Sequence, residues 1–221
     1  MDLNLVRYYA QRAKEYEKVY DKPERQTDLS KIKDWLQSEL AQKTIIEIAC
    51  GTGYWTQYIS QTAKSVLATD INPEVLEIAK AKQYPQENVQ FGLHDIYALS
   101  EIPGAFDAFF GGFIWSHIPL QDLDAFIAEA NQRVMAGGKI VFIDNLYVAG
   151  SSSPIIGQDE YGNDYQERVL LDGSKHKILK NFPTKEDIQS KLRERGENVR
   201  IIYLNYFWLL SYEKRRMKSK G

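Results

Sequence analysis

A single cysteine, Cys50, stands among 221 residues, so no internal disulfide can form, which fits a reducing compartment. Only three histidines accompany it and no short His/Cys spacing occurs, so no metal site is spelled out. Neither sign of charge dominates: 28 Lys+Arg face 30 Asp+Glu, a formal net charge of -2. That balance argues against the broad positive field that nucleic acid binding requires. No run approaches the roughly 18 apolar residues that cross a bilayer. The polar opening Met1-Asp2-Leu3-Asn4 carries no signal-peptide pattern. These absences lead us to expect a cytoplasmic protein with no nucleic-acid or membrane partner, as a monomer or homodimer. With 43% hydrophobic and 26% charged residues, the chain suits one globular domain over 1–221.

Tyrosine is plentiful, at 14 residues. Four tyrosines lie in residues 4–20, which read as a helix. Leu29, Ile32, Leu36 and Leu40 predict a second helix over about 27–42. The texture then turns β-branched. Strands are expected at 44–49, 65–70, 89–91, 106–110 and 139–144, with helices between them. One helix starts at Asn72-Pro73-Glu74, with Asn as cap. Another runs from Pro119 to Met135 with Gly137-Gly138 as its stop. Strands alternating with helices imply a parallel sheet covered on both faces. Beyond Asp144 the rhythm breaks. Residues 146–164 read as loop, and Asp172-Gly173 predicts a hairpin joining 165–171 to 174–179. A helix capped by Thr184 and ending near Gly196, then strands at 200–204 and 206–212, complete the chain. The basic tail from Lys214 to Lys220 reads as a solvated end.

Three strand ends carry candidate chemistry. Glu47-Ile48-Ala49-Cys50-Gly51-Thr52-Gly53 passes from strand to helix, and its glycines allow a tight turn and a close approach to a ligand. Thr56 stands where a dinucleotide fingerprint wants a third small residue, which weighs against a nicotinamide enzyme. Asp70 lies 19 residues after Gly51, at the next strand end, where a carboxylate can accept from both ribose hydroxyls of an adenosine. Asp95-Ile96 follows the third strand: the acid can accept from an adenine amino group while the isoleucine packs on the ring. Each motif alone has a plain structural reading, as a turn, a helix cap or a loop acid.

Together, in this order, the motifs resemble the class I S-adenosylmethionine-dependent methyltransferases. The resemblance runs from about Thr44 to Asn145 and rests on residues 47–53, Ala68–Asn72, His94–Ile96, Phe106–Phe110 and Gly138–Phe142. It implies an α/β, Rossmann-like fold: seven strands, mostly parallel, helices on both faces and the last strand antiparallel. Residues 200–212 would supply strands six and seven. It implies S-adenosylmethionine held by Tyr16, Glu47, Ala49, Cys50, Gly51, Thr52, Gly53, Trp55, Asp70, Ile71, Asp95, Ile96, Gly111 and Gly112. The N-terminal Tyr8-Tyr9-Ala10-Gln11-Arg12-Ala13-Lys14-Glu15-Tyr16 segment is similar to the lead-in of small-molecule members. It suggests a helical lid over 1–42, an insertion over 146–183, and Tyr8 and Phe113 against the acceptor. Transfer to an oxygen or nitrogen of a small molecule is the reading. A protein acceptor, or a cofactor-binding protein without turnover, is the alternative.

His117 closes Gly111-Gly112-Phe113-Ile114-Trp115-Ser116-His117 and is the candidate general base, since imidazole ordinarily titrates near 6.5. Its plain reading is a pocket wall. Cys50 lacks an activating neighbour, and His176, in the hairpin, should be exposed.

Overall fold

The computed structural model describes residues 3–85 and 87–216, with the side chains of Leu3, Asn4 and Lys14 left aside. Residues 217–221, which include the end of the basic tail, lie outside the described residues.

Thr44–Ile48 (β1), Ser65–Asp70 (β2), Val89–Leu93 (β3) and Phe106–Gly112 (β4) are short strands, and the next, β5, runs Val134–Asn145. With Gly196–Tyr203 (β9) and Phe207–Lys214 (β10) they form one sheet in the order β3-β2-β1-β4-β5-β10-β9. β10 is antiparallel to both β5 and β9, and the other pairs are parallel. The central strands are near-continuous apolar runs because both faces are covered. One face packs on Gln26–Leu40 (α2), Tyr54–Ile59 (α3) and Pro73–Lys80 (α4), through Leu29, Ile32, Leu36, Ile59 and Leu76. The other packs on Leu123–Gln132 (α5) and Lys185–Leu192 (α6), through Phe126, Ile127, Ile188 and Leu192. Strand order reverses at β1, so a crevice opens between the carboxyl ends of β1 and β4, where such sheets bind ligands.

Several elements differ from the sequence expectation. Residues 4–20 are not one α-helix: Leu3–Arg12 (α1) gives way to a 3-10 helix over Ala13–Tyr20. Tertiary packing sets that winding. Tyr20 stacks on Tyr54 at 3.9 Å and accepts from Trp55 Nε1 at 3.1 Å. Asn72 occupies the start of α4 without a side-chain cap; its backbone N–H donates to Asp70 instead. The helix expected over 119–135 covers only Leu123–Gln132, and Gly137-Gly138 do not stop it. They lie in β5, where the register shifts between Phe106 and Ala108 of the partner strand and Gly137 takes φ +76. A left-handed residue is the usual device of a bulge.

The segment read as loop contains Ile155–Gln158 (β6), which pairs antiparallel with Asp164–Val169 (β7). β7 pairs in turn with Lys175–Leu179 (β8) across the Asp172-Gly173 turn. The insertion is thus a three-stranded sheet. β6 could not be read locally because all four of its residues are exposed and show no alternation. His176 is half-buried, 5.3 Å from the Tyr8 ring, not exposed. Thr184 and Asp187 form a reciprocal capping box at α6. Among the described residues no helix is long and apolar enough to cross a membrane.

Candidate active site

The loop after β1 is wound by three successive departures from ordinary backbone. Ala49 and Gly51 take φ +48 and +56, and Gly53 takes +79 at the start of α3. A left-handed alanine is uncommon, and such strain collects at functional sites. The turn is held by Asp70 at the end of β2. Its Oδ2 accepts from the Gly51 amide at 2.9 Å and its Oδ1 from the Asn72 amide at 2.9 Å. Burial pushes the Asp70 carboxyl above its usual range, against the pull of those amides. Each oxygen keeps a second lone pair for a ligand. A Cβ on Gly51 would meet only the Tyr16 ring, at 4.0 Å, so the glycine leaves open space in the crevice.

An outer cavity lies over this loop. Of the sequence-predicted residues, Tyr16, Ala49, Gly51, Asp70, Ile71, Ile96, Gly112, Phe113 and His117 line it. Others serve beneath or beside it. Glu47 is buried and accepts from Thr56 Oγ1 at 2.7 Å, and desolvation raises its carboxyl to about 8. Thr52 donates to Glu17, Cys50 turns into the core, and Trp55 holds Tyr20. Gly53 faces Tyr84 and Gly111 faces the Phe142 ring. Asp95 is half-buried one residue before Ile96 and caps Tyr97 with its carboxylate. Adjoining the outer cavity is a second one, termed the inner cavity, lined by Tyr8, Arg12, Tyr20, Arg25, Arg168 and Lys180 among others. Tyr9, Tyr16, Phe113 and His117 line both. They form the junction between the two cavities.

A methyltransferase-domain family model matches residues 45–138. An uncharacterized methyltransferase of Bacillus mycoides is 26% identical over 177 residues, 77% of each chain. The demethylmenaquinone methyltransferase of Lactococcus lactis is 30% identical over 111 residues, 48% of this chain and 43% of that protein. Residues 45–138 thus carry a methyltransferase domain, and the chain is similar to S-adenosylmethionine-dependent methyltransferases. The fold agrees: the structure of the DhpI–SAH complex superposes with a TM-score of 0.78 at 24% identity, covering 97% of both chains.

The crevice of this methyltransferase suits S-adenosylmethionine chemically. It offers a buried carboxylate acceptor at Asp70, apolar walls at Ile71, Val75 and Ile96, and a glycine where a side chain would intrude. At the junction, His117 is pinned on both nitrogens. Nδ1 lies 2.7 Å from the Leu179 carbonyl, which can only accept, so that nitrogen carries the proton. Nε2 then accepts from the Tyr9 hydroxyl at 2.8 Å. Burial, seconded by the nearby Lys180 charge, lowers the imidazole to about 3. The ring is neutral at physiological pH and a weak base. Burial also drives the Tyr9 and Tyr16 phenols upward. Next to it, Lys180 donates to Asp144 at 3.0 Å and to Ser116 Oγ, inside the protein.

The sequence reading did not single out Tyr9, Arg25, Arg168 or Lys180. Tyr9 differs from Tyr8 in sequence only by one position of helical phase. The cations come from separate elements, with no spacing to link them.

Proposed function

We propose that the acceptor is a small molecule, with the outer cavity holding the cofactor and the inner cavity taking the acceptor. The observation that carries this reading is the shared wall. Tyr9, Tyr16, Phe113 and His117 border both cavities, and the inner one draws its lining from α1, the residues before α2 and the insertion sheet.

When bound, S-adenosylmethionine supplies an electrophilic methyl on a cationic sulfonium. Asp70 accepts from the ribose hydroxyls through its remaining lone pairs. Ile71, Val75 and Ile96 pack on the adenine, with Asp95 the carboxylate at that end. Ala49, Gly51 and Gly112 admit the rest of the cofactor along the backbone. The faces of Tyr9, Tyr16 and Phe113 attract the sulfonium at ~0.5–2 kcal/mol. In-line displacement then asks the chain mainly for alignment and exclusion of water. His117 and Tyr8 position the acceptor as walls.

Two measurements test this. Asp70→Asn keeps one acceptor for the backbone amides and removes the charge. It should weaken adenosylhomocysteine binding by roughly 10-fold or more, read by calorimetry; unchanged affinity in a folded variant would remove Asp70 from the cofactor site. Methyl-labelled cofactor, supplied with a cell extract split by ultrafiltration, should deliver its label to the low-mass fraction. Label on protein alone would refute the small-molecule reading.

A further inference from the structure

The inner cavity is strongly unbalanced in charge. Arg12, Lys22, Arg25, Arg168 and Lys180 all reach it, and no aspartate or glutamate is among the described residues that line it. Lys180 is compensated from beneath by Asp144. The other four find neutral oxygens. Arg168 donates to Ser153 Oγ at 2.9 Å and Gln166 Oε1 at 2.7 Å. Arg25 donates to Ser151 Oγ at 2.9 Å, Lys22 to the Ser151 carbonyl at 2.9 Å, and Arg12 to the Tyr8 hydroxyl at 3.0 Å. Outside the cavity, the exposed Glu24 carboxylate accepts from Ser151 Oγ at 3.2 Å.

Cations gathered without a counter-charge oppose one another. Burial, then the Arg25 charge, lowers the Lys22 ammonium; burial also lowers the Arg25 guanidinium, against the pull of Glu24 and Tyr206 and with a smaller push from Arg168. Arg25 is 9% exposed, and its Nε–H has no partner. A folded chain tolerates such an arrangement best where an anion completes it. Guanidinium groups suit carboxylate and phosphate-type oxygens because their N–H donors form a planar fork.

At the junction both imidazole nitrogens of His117 are already engaged, one of them by Tyr9. A neutral alcohol acceptor would have to lose a proton as it is methylated; the charged oxygen of an oxyanion has none to lose.

We propose that the acceptor is a compact oxyanion, a carboxylate, phosphonate or phosphate monoester, clamped by Arg168 and Arg25, and that one of its own oxygens takes the methyl. In that step the acceptor oxygen forms a bond to the methyl carbon as the carbon–sulfur bond breaks. The electron pair of the broken bond stays on sulfur, leaving a neutral thioether. One negative and one positive charge cancel, and no proton, oxidant or reductant is needed. The ester has one charge fewer than the acceptor, so it is held less tightly and can leave. This inference rests on the inner cavity being the acceptor site.

The test has a binding arm and a transfer arm. Adenosylhomocysteine-loaded enzyme is titrated calorimetrically with methylphosphonate, acetate and, as a control, methylammonium. An anion should bind and methylammonium should not. Arg168→Gln should weaken the anion roughly 10-fold or more, Arg168→Lys less, and added salt should weaken it further. Unchanged adenosylhomocysteine affinity shows that each variant is folded. In the transfer arm, labelled cofactor is offered with alkylphosphonates, alkyl phosphates, short carboxylates, amines and alcohols. Carboxyl esters release methanol in alkali, whereas phosphorus NMR identifies phosphonate or phosphate esters, so the oxyanion sources separate. If none of the anions binds or is methylated, the proposal falls. It falls also if only amines or neutral alcohols are methylated, with Arg168→Gln at the normal rate; the small-molecule reading then survives. Label confined to protein defeats that underlying reading as well.

Discussion

At the scale of single residues, His117 shows how little a residue type says about its chemistry. A histidine at the end of the β4 segment invites a role as base. Its surroundings remove the basicity: Leu179 and Tyr9, 62 and 108 residues away in sequence, hold its two nitrogens. With the imidazole at about 3 in the folded chain and near 6.5 unfolded, the sign of the effect is clear. Below pH ~6.5 the unfolded chain binds a proton that the folded chain refuses, so this residue costs stability as pH falls toward 3 and costs nothing above 6.5. The turnover rate should therefore be flat across about pH 6 to 8 for want of a titrating imidazole. A rate that climbs through the ordinary imidazole range, and loses that climb in His117→Gln, would restore His117 as the base.

At the scale of elements, the decisive joint is where the insertion meets the sheet. Leu179 ends β8, Lys180 and Asn181 follow it, and all three are stitched to the turn after β4. The Asn181 amide donates to the Ser116 carbonyl at 2.8 Å, and Lys180 reaches both Ser116 and Asp144 at the end of β5. Lys180 and Asp144 are 4% and 0% exposed, so each depends on the other. Lys180→Met should cost ~3–5 kcal/mol, because it strands a buried carboxylate, as urea denaturation would measure. Adding Asp144→Leu to it should recover part of the loss. A single variant as stable as the parent would show that water or rearrangement already satisfies Asp144. None of this was legible in the sequence, which places Lys180 in an unremarked polar run after a hairpin. The hairpin itself was legible, since Asp172-Gly173 acts over four residues.

At the scale of the whole molecule, α1, the 3-10 segment after it and the insertion sheet together cover the two cavities. Tyr8 packs on His176 of β8 and lies in one apolar cluster with Leu5, Leu170 and Ile178, while Lys22 and Arg25 bond to Ser151. We expect these two segments to open and close together as a lid. Hydrogen exchange should slow in residues 3–25 and 146–183 on adding adenosylhomocysteine, and slow more with methylphosphonate. Protection limited to the Gly51 loop and the ends of β2 and β3 would refute the lid.

The sequence by itself determined the frame. Apolar β-branched runs, helical spacing in residues 29–40 and the Gly51 and Asp70 strand ends are local signals, each acting over a few residues, and they sufficed for the alternation, the sheet and the crevice. They also overreached where a local signal had two meanings, as at Gly137-Gly138, which reads as a helix stop and serves a bulge. Only the tertiary structure decided what occupies the crevice's inner end. The five cations, the neutral His117 and the Tyr9 contact are brought together from α1, the residues before α2, β7 and the strand-end turns. Their charges and proton affinities depend on burial and on distances across the fold, quantities that no spacing along the chain encodes.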